Sequence, residues 1–171
     1  LYPVGCLSLN AEGQKMSELY DMKLAGAVAF GDYKTPIVNA NFLKIALEYS
    51  QSFNGLILSY PSNHKIDNNG MINEGLISAK IGIKGMPDIS ESIQISRDIQ
   101  ILEYTGGKFS INTSPLRGDN ENSGKYKKVW ISNNIEQPDE IIVTGRKETF
   151  AKDKASGTPN ILIDDRPTNI Q

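Results

Sequence analysis

The sequence predicts an α/β fold: a mainly parallel sheet of about six strands with helices flanking it. Three observations carry that expectation. Short aliphatic and β-branched runs, bounded by Gly, Asn, Pro or Asp, lack polar alternation, which is the pattern of strands covered on both faces. Stretches with helical spacing of apolar residues separate them. The composition, with 39% hydrophobic, 22% charged and 8% aromatic residues, is that of a globule with a real core and not of a disordered or fibrous chain.

The elements follow in order. Residues 1–8 (LYPVGCLS) read as the first strand. Met16, Leu19, Tyr20, Lys23 and Leu24 then fall at i, i+3, i+4, i+7 and i+8, and all but the lysine make an apolar stripe. Residues 27–31 (AVAFG) form the second strand, and Asn39 caps a helix that turns Leu43, Ala46 and Leu47 inward. Residues 55–60 (GLILSY) are the third strand, followed by a polar loop with His64 at the surface. Asp88 and Glu91 have capping-box spacing ahead of Ile95, Ile99 and Leu102, and Gly106-Gly107 ends that helix. Strands are expected at 108–114, 140–144 and 160–165, with a helix around Lys125 to Ile131 whose Trp130 faces the core. Strand order is open at this level.

The chain has 171 residues and a mass of 18.8 kDa, enough for one domain or two small ones. Its 18 basic and 20 acidic residues leave a formal net charge of −2, so no field draws it to nucleic acid or a membrane surface. A single cysteine, Cys6, excludes an internal disulfide framework and fits a reducing, cytoplasmic setting. A single histidine, His64, excludes a His-rich zinc site built from these residues. No run reaches membrane-span length, and the first residues carry no basic leader; they read as mid-strand, so an upstream portion is expected. Composition shifts at Gly106-Gly107 toward loops rich in Asn, Asp and Lys. Parallel α/β proteins bind ligands at the carboxyl ends of their strands. The residues there are Asp32 and Tyr33, Tyr60 to Asn63, Thr113 and Ser114, Thr144 to Lys147, and Asp164 with Asp165.

The strings LYPVGCLS, DMKLAGAVAFGD and NEGLISAKIGIKGMPDISESIQISRDIQILEYTGG give residues 1–107 a specific resemblance to the middle of a dihydroorotase. The resemblance implies a segment of a (β/α)8 amidohydrolase barrel. Active members hold one or two zinc ions with an HxH pair, a carboxylate after a later strand and further histidines. This sequence lacks the HxH strand, carries Tyr33 at the position matched to the metal carboxylate, and has Tyr60 where a ligand histidine is expected. On that ground zinc is not expected, and the segment reads as three or four βα units without the catalytic metal.

NTSPLRG, EIIVTGRKE and NILIDDRPTNI give residues 108–171 a second resemblance, to the distal core of haloacid-dehalogenase-type phosphatases, nearest the 5′(3′)-deoxyribonucleotidases. It implies Thr113 as the phosphate-binding hydroxyl with Ser114 beside it, Lys147 as the phosphate-neutralising lysine with Lys152 as runner-up, and Asp164 and Asp165 as Mg²⁺ ligands. The D-x-D nucleophile motif of that family is absent. Asp32, at the end of an apolar strand, is the nearest substitute for its attacking carboxylate, although Lys34 then stands where the acid/base would be.

Together these resemblances imply two segments, 1–107 and 108–171, joined like a chimera and sharing one sheet in a half-barrel or flavodoxin-like sandwich. The expected function is that of a catalytically incomplete α/β protein with a phosphate and Mg²⁺ half-site. The alternatives are a weak Mg²⁺-dependent 5′-nucleotidase and a non-catalytic dihydroorotase-like structural subunit. The expected partners are phosphate or a nucleoside monophosphate, and further copies of the chain at unpaired edges.

Overall fold

The computed structural model describes residues 2–67, 69–113, 120–134, 138, 140–143 and 160–163. In chain order the elements are β1 (Val4–Gly5), α1 (Leu19–Leu24), β2 (Ala29–Phe30), α2 (Ala40–Gln51), β3 (Leu56–Ser59) and α3 (His64–Asp67). They continue through β4 (Ile72–Asn73), α4 (Leu76–Ile81), β5 (Gly85–Met86), α5 (Ile89–Thr105), β6 (Lys108–Thr113), α6 (Asn120–Asn134), β7 (Glu140–Val143) and β8 (Asn160–Ile163). Six strands form one sheet in the order β1-β2-β3-β8-β6-β7, and every pairing in it is parallel. The expected α/β class with a mainly parallel sheet is therefore what the chain adopts. β4 and β5 make a separate two-stranded parallel pair that the apolar runs do not announce.

The register places β8 between β3 and β6, with Leu56 opposite Asn160 on one side and Lys108 opposite Asn160 on the other. The core lies beneath β1 to β3, where Leu7, Leu19, Phe30, Leu43, Ala46, Leu47, Ile57 and Leu102 are fully buried. α2 packs along α5, and both reach the sheet through β3 and β6. Phe53 joins the layers, meeting the rings of Phe30, Tyr20 and Tyr49 edge-on with centroids 5.9, 5.8 and 5.4 Å away.

Local signals behave unevenly. Asn39 caps α2 as expected, its Oδ1 accepting the Phe42 N–H at 3.1 Å. Gly106 ends α5 in the left-handed conformation (φ 72°), which a side chain would strain. Asp88 makes no side-chain cap, because its own backbone is already helical and the first turn closes through Pro87 and Asp88 carbonyls instead. α1 is shorter than its stripe: Met16 is held in an antiparallel bridge to Ser8, and only Leu19 of the stripe is buried, with Tyr20 and Leu24 exposed. Trp130 is turned outward at 60% exposure, and Ile131 takes the inward place on α6. Among the described residues no helix is long and apolar enough to cross a membrane.

Gly31 sits where β2 comes nearest β3. A Cβ there would stand 2.9 Å from the Leu58 carbonyl oxygen and 3.0 Å from the Leu58 Cβ. Gly31→Ala is expected to cost about 1–3 kcal/mol through overpacking. Phe30→Ala, which empties the centre of the core, is expected to cost about 3–5 kcal/mol. Urea unfolding followed by far-UV circular dichroism checks both, with unchanged midpoints counting against this packing.

Candidate functional site

The carboxyl ends of β1, β2 and β3 carry several of the buried polar groups of the chain, Ser8 and Asp32 among them. Asp32 follows Gly31 at the exit of β2 and is only 4% exposed. Its Oδ1 accepts the N–H groups of Leu7 and Ser8, both at 2.9 Å, and its Oδ2 accepts the Ser8 hydroxyl. The Ser8 oxygen in turn accepts the Gly13 N–H at 2.8 Å. The Cys6 thiol lies 3.1 Å from Asp32 Oδ1 and 2.9 Å from the Ser8 carbonyl oxygen, so its one proton serves both acceptors. Burial, then the hydrogen bond to Asp32 and that residue's charge, push the Cys6 thiol above its ordinary value.

This arrangement explains why β1 is shorter than its apolar run. The N–H groups of Leu7 and Ser8 turn from the ladder to a carboxylate, and the chain folds back into the loop that Gly13 closes. It also fixes what Asp32 can do. A carboxylate has about four acceptor positions, and here backbone amides, a hydroxyl and a thiol converge on them.

A second network stands at the exit of β3. Ser59 donates to Asp98 Oδ2 at 2.6 Å, and Arg97 donates to Asp98 Oδ1 through Nε at 3.0 Å and Nη2 at 2.6 Å. The same guanidinium reaches the carbonyls of Ile37 and Val38, and Gln94 donates to the Ile37 carbonyl at 3.1 Å. α5 is thereby clamped to the loop between β2 and α2. Burial holds the Asp98 carboxyl above the usual carboxylate range, against the opposing pull of Ser59, Arg97 and Gln94. Asp67 goes the other way: burial raises it, but hydrogen bonds from Ser62 and Ser90 and the nearby His64 outweigh that and lower it. His64 Nδ1 is 3.7 Å from Asp67 Oδ2, and the imidazole is largely exposed, although the residue opens α3 where a loop was expected.

The residues singled out in the sequence fare as follows. Asp32 lies in the strand-exit cluster. Tyr33 and Tyr60 are at the same end of the sheet, 64% and 38% exposed, and Lys34 stands over the Tyr33 ring, 5.3 Å from its centroid. Thr113 is the last residue of β6, the strand that pairs with both β7 and β8. Ser114, Lys147, Lys152, Asp164 and Asp165 lie outside the described residues. Ser59, Arg97 and Asp98 were missed, although Asp98 sits within the α5 stripe, three residues after Ile95 and four before Leu102. An acidic residue on an inward helical face was the available signal.

A parallel βα array with buried polar groups at its strand exits is the class of scaffold on which barrel hydrolases are built. The family model described as Dihydro-orotase-like matches residues 1–115, and the chain belongs to that family. It is 38% identical over 111 residues to the dihydroorotase of Desulfotalea psychrophila, covering 65% of this chain and 26% of that protein. It is 36% identical over 111 residues to the dihydroorotase of Pelobacter propionicus, with the same coverage. With the dihydroorotase of Acetivibrio thermocellus it shares 38% over 105 residues, 61% of this chain and 25% of that protein. The chain thus spans about a quarter of the length of the curated relatives it matches.

These findings correct two expectations. The expectation of no zinc, with Mg²⁺ in its place, is set aside, because the chain belongs to a family whose active members are zinc amidohydrolases. Ligands missing from a quarter of such a protein do not decide its metal. The described residues themselves do not fit a zinc site, since no three His, Cys, Asp or Glu side chains among them converge. The nucleotidase resemblance of 108–171, and with it the picture of a chimera, gains no support from the comparisons, whose family match ends at residue 115.

Two substitutions separate the roles of Asp32. Asp32→Ala strands two buried N–H groups and is expected to cost about 2–5 kcal/mol, whereas Asp32→Asn keeps an acceptor for them and is expected to cost less than half as much. Equal losses in chemical denaturation would refute the anchoring role. A pH series tests Asp98. The folded state binds its proton more tightly than the unfolded chain does, so its contribution to stability declines as pH rises from about 3.9 through its raised folded value. Asp98→Asn is expected to remove that decline. Asp67, with a lowered value, contributes stability that is lost as pH falls through its folded value, and Asp67→Asn is expected to flatten that acid limb.

Proposed function

We propose that the chain is a catalytically incomplete dihydroorotase-type module whose βα units serve as a scaffold, in the manner of a structural subunit. The observation that carries this reading is the state of Asp32. The carboxylate at the exit of β2 is buried and fastens the β1 loop, its Oδ1 accepting the Leu7 and Ser8 N–H groups and its Oδ2 the Ser8 hydroxyl. Asp98, the other buried carboxylate near the strand exits, is likewise consumed by Ser59 and Arg97. By the resemblance, Tyr33 and Tyr60 occupy positions where active relatives hold metal ligands, and a phenol is a poor substitute for a carboxylate or an imidazole. On this reading the strand exits among the described residues supply shape and rigidity.

The same reading covers the remaining candidates. Thr113, Ser114, Lys147, Asp164 and Asp165 need an attacking carboxylate for phosphoryl transfer, and Asp32 is engaged elsewhere. The test is a pair of assays on the full chain: ring opening of dihydroorotate with and without added zinc, and phosphate release from nucleoside monophosphates. Neither is expected to exceed the buffer rate. Ring opening that Tyr60→Phe abolishes, or phosphate release that Asp32→Asn abolishes, would overturn the scaffold reading.

A further inference from the structure

β8 stands between two strands that are already aligned with each other. Leu56 and Lys108 are both partners of Asn160, and Ile57 and Phe109 are both partners of Ile161. The match continues with Leu58 and Ser110 at Leu162, and with Ser59 and Ile111 at Ile163. Both ladders are parallel, so β3 and β6 flank β8 with no offset along the strand direction. Neighbouring strands are about 4.8 Å apart. Withdrawing β8 and bringing its two neighbours together by that distance would pair 56–59 with 108–111 in the register that β8 now mediates.

The family match takes in β3 and β6 and ends at residue 115, so it contains both neighbours of β8 and not β8 itself. Residues 60–107 join β3 to β6, and direct parallel pairing needs a crossover of only about a dozen residues. The energetics of the two arrangements oppose each other. With β8 inserted, two ladders stand where the closed sheet has one, which favours insertion. The closed sheet spares residues 160–163 the entropy cost of a fixed backbone, which favours withdrawal. In either arrangement the facing edges of β3 and β6 are paired, as buried backbone groups require. We propose that residues 160–163 are an insertable strand, and that the sheet has a second state in which β3 pairs directly with β6. Insertion then sets the spacing between the exit of β3, where Ser59 meets Asp98, and the exit of β6. The inference stands on ladder register and does not depend on whether the strand exits are catalytic.

Disulfide trapping in the full chain, on a Cys6→Ser background, tests it. Leu58→Cys with Leu162→Cys reports the inserted state, since these residues are ladder partners. Leu58→Cys with Ser110→Cys reports the closed state. With β8 in place two strand spacings, roughly 9.6 Å, separate these positions, beyond the about 7 Å that a disulfide tolerates. Leu58→Cys with Glu140→Cys controls for unfolding, because Glu140 pairs with Ser110 from the far side and stays out of reach in both states. Under mild oxidation the first pair is expected to bridge readily, and the second slowly with an unchanged circular dichroism spectrum. The control is expected to bridge more slowly than either. Ile161→Pro, which bars the segment from a central strand, is expected to speed the second pair about tenfold or more. Failure of the first pair to bridge, or a second pair that bridges no faster than the control, overturns the proposal. If Ile161→Pro does not fold, the three pairs without it decide alone by the same outcomes.

Discussion

The fastening of the β1 exit by the Asp32 carboxylate is the constraint on which the rest of the first half depends. β1 and β2 are each only two residues long, and such short parallel strands leave backbone donors without ladder partners. An unsatisfied buried N–H costs about as much as a lost hydrogen bond. Asp32 meets two of them directly and the Gly13 N–H through Ser8. Ser8 then bridges to Met16, which leads the chain into α1 and buries Leu19 beneath the sheet. The order of the N-terminal loop therefore descends from one carboxylate.

The Asp98 network does a similar service one strand further on. A buried carboxylate carries a large desolvation cost, and its raised proton affinity registers that cost. What the protein gains is geometric. Ser59 belongs to β3, Asp98 and Arg97 to α5, and the Ile37 and Val38 carbonyls to the loop after β2, so a single cluster sets the helix against two strand exits. Carboxylates held in this way define positions.

Much of the architecture was legible because it follows from local physics. The apolar runs at 55–60 and 108–114 became strands nearly in full, and Asn39 and Gly106 marked a helix start and a helix end through their side-chain and backbone chemistry. The failures share one cause, a tertiary partner that local pattern does not contain. Met16 left its helical stripe for a bridge to Ser8, and the first strand stopped early because Asp32 claimed its donors. Trp130 had the hydrophobicity for the core, but Ile131 had the inward position. At the candidate site the sequence marked Asp32 but not its partners, since an acid at a strand end has the same spelling whichever donors it meets.

The placement of β8 carries the last consequence. The family match ends at residue 115, yet Asn160–Ile163 lies between β3 and β6 and pairs with both along its length. The run Asn-Ile-Leu-Ile has no polar alternation, as a strand with neighbours on both sides should not. In the barrel that the family resemblance implies, strands keep chain order and β3 would meet β6 directly. Here a strand from beyond the matched region keeps them apart, and the sheet continues as β6 and β7 on its far side. Strands β1, β2, β3 and β6 of the dihydroorotase-like region and residues 160–163 thus share one sheet. The ladder between β3 and β6 runs through β8, so the link between these two family-derived strands is made by residues 160–163.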